Sequence, residues 1–286
     1  MISPFTPFKF RIRGQLIAFD KPVVMGILNV TPDSFHGASR IAPEDVVERA
    51  GVMLHKGAAV LDVGGQSTRP GARDIGEDEE ISRVIPAIRA IRRAFPEALI
   101  SIDTFRGEVA RRAADEGVSM INDVSAGSLD PSMLRAVQEL ALPYVLMHMQ
   151  GTPATMQVAP VYHDILAELF LWFSGHIKEL RATGVHDIIL DPGFGFGKEL
   201  SHNYTLLAGL SEFTRLEVPV LAGVSRKKMI QRVTGADVAS CLPGTIAANT
   251  IALTQGASIL RVHDVTEAVQ TVAIWEETRK AALGRF

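Results

Sequence analysis

A single cysteine, Cys241, in 286 residues excludes an internal disulfide. Nothing beside it supplies a metal-ligand or redox pair, so it reads as a small buried filler, and a reducing compartment is expected. Long apolar runs are also missing. No stretch approaches the roughly 18 residues of a membrane span, and the opening MISPFTPFKFRIRG has neither an uninterrupted apolar core nor a small-residue cleavage site. A soluble, cytoplasmic protein with no membrane partner is expected. Charge of one sign is absent too: the net charge is -3, the pI is near 6.3, and Lys and Arg are spread along the chain. That leaves no basic stripe for nucleic acid. No Pro-, Gly- or Ser-rich linker interrupts the pattern, which predicts one domain over 1–286 with a hairpin segment at 1–22.

What the chain has is a large apolar fraction, 47%, enough to bury a sizeable core. Residues 8–19 alternate polar and apolar around Gly14-Gln15, as a β-hairpin would. Short apolar runs then recur at 23–28, 59–63, 99–102, 118–121, 144–147, 188–190, 218–224 and 257–262, eight strand candidates. Between them lie helical stripes such as Ile81, Val84, Ile85, Ile88 and Ile91, or Leu166, Leu169, Phe170, Phe173, Ile177 and Leu180. Pro86 interrupts the first stripe, so that helix should start late or kink. Asp130-Pro131 reads as a helix start, and Asp264 with Glu267 as a capping box. Strands apolar on both faces and alternating with helices pair in parallel. The count of eight favours an α/β fold that is a (β/α)8 TIM barrel with an N-terminal β-hairpin over an open doubly wound sheet.

In such a barrel the carboxyl ends of the strands carry the chemistry. Those ends hold Asn29, the run Gly64-Gly65-Gln66-Ser67-Thr68-Arg69-Pro70, Asp103, Asn122 with Asp123, His148, Asp191, Ser225-Arg226-Lys227, and Arg261 with His263. The sixth of these opens the loop Asp191-Pro192-Gly193-Phe194-Gly195-Phe196-Gly197-Lys198, whose glycines should let a flat ligand approach the backbone. It is not a Walker loop, because only three residues separate Gly193 from Gly197 and Glu199 follows Lys198. Asp103, Asn122 and Asp191 offer acceptors and an amide to a ring with adjacent amine and lactam N–H groups, and Lys227 suits a carbonyl oxygen or ring nitrogen. Asn29, Arg69, Arg261 and His263 point to an anion, with Asn29 able to join the oxygen shell of Mg²⁺. No Cys/His cluster suggests zinc, and Ser225 lacks the glycine framing of a nucleophile elbow.

NVTPDSF (29–35), GGQSTRPGA (64–72), SIDT (101–104), INDVS (121–125), MHMQGTPATMQ (147–157), DPGFGFGK (191–198), GVSRKKMI (223–230) and RVHDV (261–265) together resemble the dihydropteroate synthases of the folate pathway. The resemblance runs the length of the chain. It implies an enzyme that joins 6-hydroxymethyl-7,8-dihydropterin diphosphate to 4-aminobenzoate with release of diphosphate, using Mg²⁺, as a homodimer and sulfonamide target. Carried over by position, Asp103, Asn122, Asp191 and Lys227 would hold the pterin, with Arg261 over its face. Asn29, Arg261 and His263 would grip diphosphate and Mg²⁺, with Asn29 as the metal ligand. Thr68, Arg69, Phe196 and the start of the helix after Lys227, including Lys228, would form the aminobenzoate side. Asp103, Lys227, Arg261 and His263 would be the catalytic set.

Three positions depart from the family pattern: Gln66 replaces the usual glutamate, HGASR (36–40) replaces a Ser-Asp-Gly-Gly turn, and Lys228 stands where serine is frequent. The first two fall in loops that the resemblance implies close over the site. Lys228 could hold a carboxylate or face solvent. A pterin-holding protein without turnover would lack one of Asn29, Arg69, Asp103, Lys227 or His263, and all five are present. A pterin-dependent methyltransfer barrel would need no diphosphate clamp and would sit beside further modules.

Overall fold

The computed structural model describes residues 5–31, 43–66, 75–152, 155–156 and 160–284. Strands β1 (Phe8–Ile12) and β2 (Gln15–Phe19) pair antiparallel with Ile12 opposite Gln15. Their connection is Arg13-Gly14, one residue earlier than the expected pair, and both residues have positive φ, 50° and 77°. That geometry has the hand of twist a two-residue hairpin needs. Phe8, Phe10, Ile12 and Phe19 are buried, with Phe8 stacked on Phe19 at 4.8 Å between centroids. The Arg11 N–H donates to Asp187 at 2.8 Å and the Arg13 guanidinium to Ser119 Oγ at 3.2 Å. Both acceptors precede parallel strands, so the hairpin lies at the amino-terminal end of the sheet, away from the strand ends that carry polar residues.

Eight parallel strands follow: β3 (Val23–Asn29), β4 (Val60–Gly64), β5 (Leu99–Asp103), β6 (Met120–Asp123), β7 (Tyr144–Met147), β8 (Ile188–Asp191), β9 (Leu221–Ala222) and β10 (Ile259–Val262). Their order is β8-β7-β6-β5-β4-β3-β10-β9, and a parallel bridge between Leu190 and Val220 brings the two ends of that order together as a nearly closed barrel. Every position of β4, β6, β7 and β8 is buried, as strands covered on both faces require. The run at 218–224 yields only a two-residue strand. Pro219 has no N–H to donate, and only its carbonyl pairs, with the Leu190 N–H at 2.9 Å.

Helices α1 (Pro43–His55), α2 (Glu77–Ala94), α3 (Gly107–Asp115), α4 (Met133–Leu140), α5 (Ile165–Ala182), α6 (Leu200–Ala208), α7 (Lys228–Thr234), α8 (Leu242–Thr254) and α9 (Val265–Ala282) alternate with the strands. The apolar stripes face inward: Val84, Ile88 and Ile91 of α2 and Leu169, Phe173, Ile177 and Leu180 of α5 are buried. Each such side chain contributes about 1.5–3 kcal/mol. Helix α2 begins before Pro86 and continues past it. Pro86 and Ser82 are both exposed, so the carbonyl left without a helical donor lies on the wet side. Two expected caps are otherwise employed. Asp130 binds the backbone N–H groups of Ser132 and Gly107, and α4 starts after Ser132. Asp264 makes no side-chain cap for α9 and instead holds Arg226 through both oxygens, at 2.8 and 2.7 Å. A paired guanidinium outcompetes a neutral amide for a carboxylate. Cys241 is buried and free.

Candidate active site

The strand ends converge on a charged cluster whose centre is a residue that sequence reasoning passed over. Asp62, inside the apolar run of β4 and fully buried, accepts from Arg261 Nε at 2.6 Å and from Asn122 Nδ2 at 3.0 Å through the same oxygen, Oδ2. The other end of the Arg261 guanidinium is paired with Asp103 at the end of β5. One arginine of β10 therefore joins β4 and β5, and the asparagine of β6 is tied to the same carboxylate. A charged residue within an otherwise apolar strand was the available signal, because burial of an unpaired carboxylate is too costly to be incidental.

Burial pushes the Asp103 carboxyl up to about 7. Arg261 opposes that shift, while Asp62, Glu80 and Asp123 add to it. Burial works against the Arg261 charge, but Asp62 and Asp103 outweigh it and raise its pKa. Asp191, at the end of β8, is likewise raised by burial, with Lys227 opposing. Its Oδ1 accepts from the Gly193 N–H at 2.8 Å, so one oxygen caps the turn. Its Oδ2 and Lys227 Nζ flank Gly223, each 3.9 Å from where a Cβ there would lie. Lys227 donates to the carbonyl of Phe194 and stands 4.7 Å from the centroid of the Phe196 ring. Desolvation lowers it to about 8, against the pull of Asp191.

Two of the three glycines of 191–198, Gly193 and Gly197, serve the chain. A Cβ at Gly193 would collide with the His148 carbonyl, and one at Gly197 would lie 2.5 Å from the Gln150 carbonyl; both residues have positive φ. The loop is thus pressed onto the segment after β7. Lys198, buried and lowered to about 7 by desolvation, fastens it there by donating to the carbonyls of His148 and Phe196 at 3.1 and 2.9 Å. The Nδ1 of His148 lies 3.1 Å from the same ammonium, and its ring packs edge-on against Trp172. Burial lowers His148 to about 3, so it is a neutral wall residue. Phe194 is fully buried core, whereas Phe196 is half-buried at the site. Asp123 is occupied by Ser125, Gly127 and the Tyr144 hydroxyl.

His263 follows β10 with its N–H on Ser225 Oγ at 3.2 Å. Lys228 is exposed as the first residue of α7. Thr68 and Arg69 lie outside the described residues, as does HGASR at 36–40. Asn29, at the end of β3, places Oδ1 3.5 Å from a Cβ built on Gly64, and Asp103 Oδ2 lies at the same distance. Asp103 Oδ2 already accepts from Arg261, so Asn29 Oδ1 is the oxygen on offer there, and it suits Mg²⁺ only if phosphate and water complete the shell, which is that ion's habit. Among the described residues no group of three or more His, Cys, Asp or Glu side chains is gathered for a metal, and no helix is long and apolar enough to cross a membrane.

A family model for pterin binding enzymes matches residues 25–263. The dihydropteroate synthase of Escherichia coli strain K12 is 46% identical over 276 residues, 96% of this chain and 97% of the relative. A crystal structure of the Yersinia pestis dihydropteroate synthase with a sulfonamide drug complex aligns with a TM-score of 0.90 at 42% identity, covering 96% of this chain and all of that one. The Xanthomonas albilineans dihydropteroate synthase with 4-aminobenzoic acid aligns with a TM-score of 0.88 at 40% identity, covering 96% and 99%.

Proposed function

Because the chain belongs to the dihydropteroate synthase family of pterin-binding transferases, acting in folate synthesis, we propose that it condenses 6-hydroxymethyl-7,8-dihydropterin diphosphate with 4-aminobenzoate and releases diphosphate. The observation that carries this reading is the array of Asp62, Asp103, Asn122, Asp191, Lys227 and Arg261 at one end of the barrel. The edge of a pterin presents an amine, a ring N–H and a carbonyl in a row. Asp191 and Asn122 match the donors, and Lys227 matches the carbonyl or ring nitrogen. Arg261, held flat between two carboxylates, is oriented to cover the ring face.

Diphosphate falls to Arg261, His263 and Asn29, with Thr68, Arg69, Phe196 and Lys228 on the aminobenzoate side. Asn29, with Asp103 near it, would hold Mg²⁺ together with phosphate oxygens and water. Bound there, the ion would supply positive charge to the leaving group. Departure of diphosphate ahead of attack suits this residue set. An ionised Asp103 is unfavourable in the empty site, since burial raises its carboxyl to about 7. Positive charge growing on the exocyclic carbon relieves that cost only as the bond breaks, which is where stabilisation accelerates a reaction. The amine then needs no strong base.

The expected partners are these two small molecules and a second copy of the chain in a homodimer. The deciding experiment incubates the purified protein with Mg²⁺ and the pterin substrate and follows diphosphate. Steady turnover that requires aminobenzoate is expected. Steady diphosphate release at the same rate without it would overturn the reading.

A further inference from the structure

Arg226 stands between Ser225 and Lys227 after β9, and its backbone is left-handed, with φ 53°. For a residue with a Cβ that conformation is costly and persists only where the surroundings impose it. Here they do so from several sides. The Arg226 N–H donates to Thr245 Oγ1 of α8 at 3.1 Å, and its carbonyl accepts from Gln231 Nε2 of α7 at 2.8 Å. One edge of the guanidinium, Nε and Nη2, meets both oxygens of Asp264 at 2.8 and 2.7 Å, while Nη1 donates to the carbonyls of Val238 and Ala239 at 2.6 and 3.2 Å. The residues beside this pair belong to the site. Lys227 sends its ammonium to the Phe194 carbonyl, and His263, just before Asp264, has its N–H on Ser225 Oγ. Ser225–His263 and Arg226–Asp264 are thus two successive rungs between the exits of β9 and β10. The backbone pairing of those strands covers only Leu221 with Ile259 and Ala222 with Leu260, so side chains carry the connection onward.

We propose that Arg226, clamped by Asp264, is a positioning residue that holds Lys227 and His263 at a fixed separation and so joins the grip on the pterin to the grip on diphosphate. This rests on the condensation reading above and extends it to a residue whose own side chain is engaged by the protein. A substrate gripped at both ends stays aligned for cleavage of the bond between them only if the two grips keep their distance. The side chains of Arg226 and Asp264 are 22% and 17% exposed, so salt and water screen the pair less than they would a surface pair. Lysine is no substitute at 226, because one ammonium cannot meet a carboxylate through two parallel bonds and also reach two carbonyls on its other side.

The test uses the full chain with Arg226→Lys, which keeps the charge, and Asp264→Asn, which keeps the shape. Calorimetry at neutral pH gives the affinities for 6-hydroxymethylpterin and for inorganic diphosphate with Mg²⁺, and steady-state kinetics give the alkaline limb of kcat/KM. Both affinities should fall together, about tenfold in Arg226→Lys and about threefold in Asp264→Asn. The limb should move above about 8 in both variants. A loosened Lys227 gains water, and desolvation is the largest influence on it, ahead of the charges that face it, Asp191, Arg261 and Asp103. Lowered thermal stability with both affinities and the limb unchanged would make Arg226 a structural pin and overturn the inference. Loss of affinity for one ligand alone would overturn it too, since the two grips would then be independent. A wild-type protein that binds both ligands without condensing its substrates would remove the functional reading instead. A joint fall in the two affinities would still uphold the positioning in that case, and unchanged affinities would overturn it.

Discussion

Asp62 and Arg261 are 199 residues apart in the chain and 2.6 Å apart in the fold, and the carboxylate oxygen that Arg261 uses is also the acceptor for Asn122. This pair sets the plane of the guanidinium and, through charge, the state of its other partner. Asp62 raises Asp103, whereas Arg261 lowers it.

Replacing Asp62 by Asn keeps the shape, removes one negative charge and leaves Arg261 to Asp103. Two effects on Asp103 then act in one direction. Its carboxyl should ionise at lower pH, moving the acid limb of the kcat/KM profile downward. Loss of one charge-assisted bond on Arg261 should also weaken pterin binding by about 1.5–3 kcal/mol. An acid limb that stays in place or rises would show that Asp62 and Asp103 are not coupled in this way.

Asp191→Asn tests the pterin pocket directly. Oδ1 is engaged by the Gly193 N–H, so the ligand-facing part is Oδ2, on the Lys227 side. An amide there exchanges an acceptor for a donor that faces the ring's own N–H groups. A cost of about 1.5–3 kcal/mol or more in pterin affinity is expected, measured by calorimetry on protein whose fold is checked by thermal melting. Unchanged affinity with an intact fold would displace Asp191 from the pocket.

The eight strands and their polar ends were legible because parallel strands buried on both faces read as unbroken apolar runs, and the residues closing those runs stand out by contrast. The same rule concealed Asp62, which sits inside the run 59–63 and not at its end. Lys198 looked like part of a ligand loop, yet its three nearest acceptors belong to the protein itself. Gly193 and Gly197 of that loop answer to the backbone after β7, a contact that no local pattern encodes. Asp264 has the spacing of a cap, but Arg226, 38 positions earlier, claims it. In each case a partner distant in sequence decided between two locally valid readings.

The pH dependence of kcat/KM should be a narrow bell. Asp103 is raised to about 7 and, on the proposed reading, would act ionised, so activity should fall as pH drops through that value, and Asp191, also raised by burial, should add to the acid side. Lys227 is lowered to about 8 and, on the proposed reading, would act protonated, so activity should fall as pH rises past it. These limbs report the free enzyme. Lys227→Arg should lose much of its rate but also lose the alkaline limb, because guanidinium does not titrate there. If that limb persists, the titrating group is another, and Lys198, lowered to about 7, is next to examine.

The timing of bond breaking gives the last prediction. An arylamine is a weak nucleophile, whereas on the proposed reading diphosphate would leave toward Arg261, His263 and Asn29, groups that would meet its growing charge. If departure runs ahead, the transition state contains little bonding to nitrogen, and ring substituents that change the basicity of the amine should scarcely alter the single-turnover rate at saturating amine. Asp103→Asn, by contrast, should slow that step far more than it weakens pterin binding, since the carboxylate, already paired with Arg261, gains a second positive neighbour only as the exocyclic carbon becomes positive. The two measurements test the idea separately. A steep positive dependence on amine basicity would put nucleophilic attack into the rate-limiting step, and an Asp103→Asn variant that loses affinity and rate equally would make Asp103 a ground-state contact.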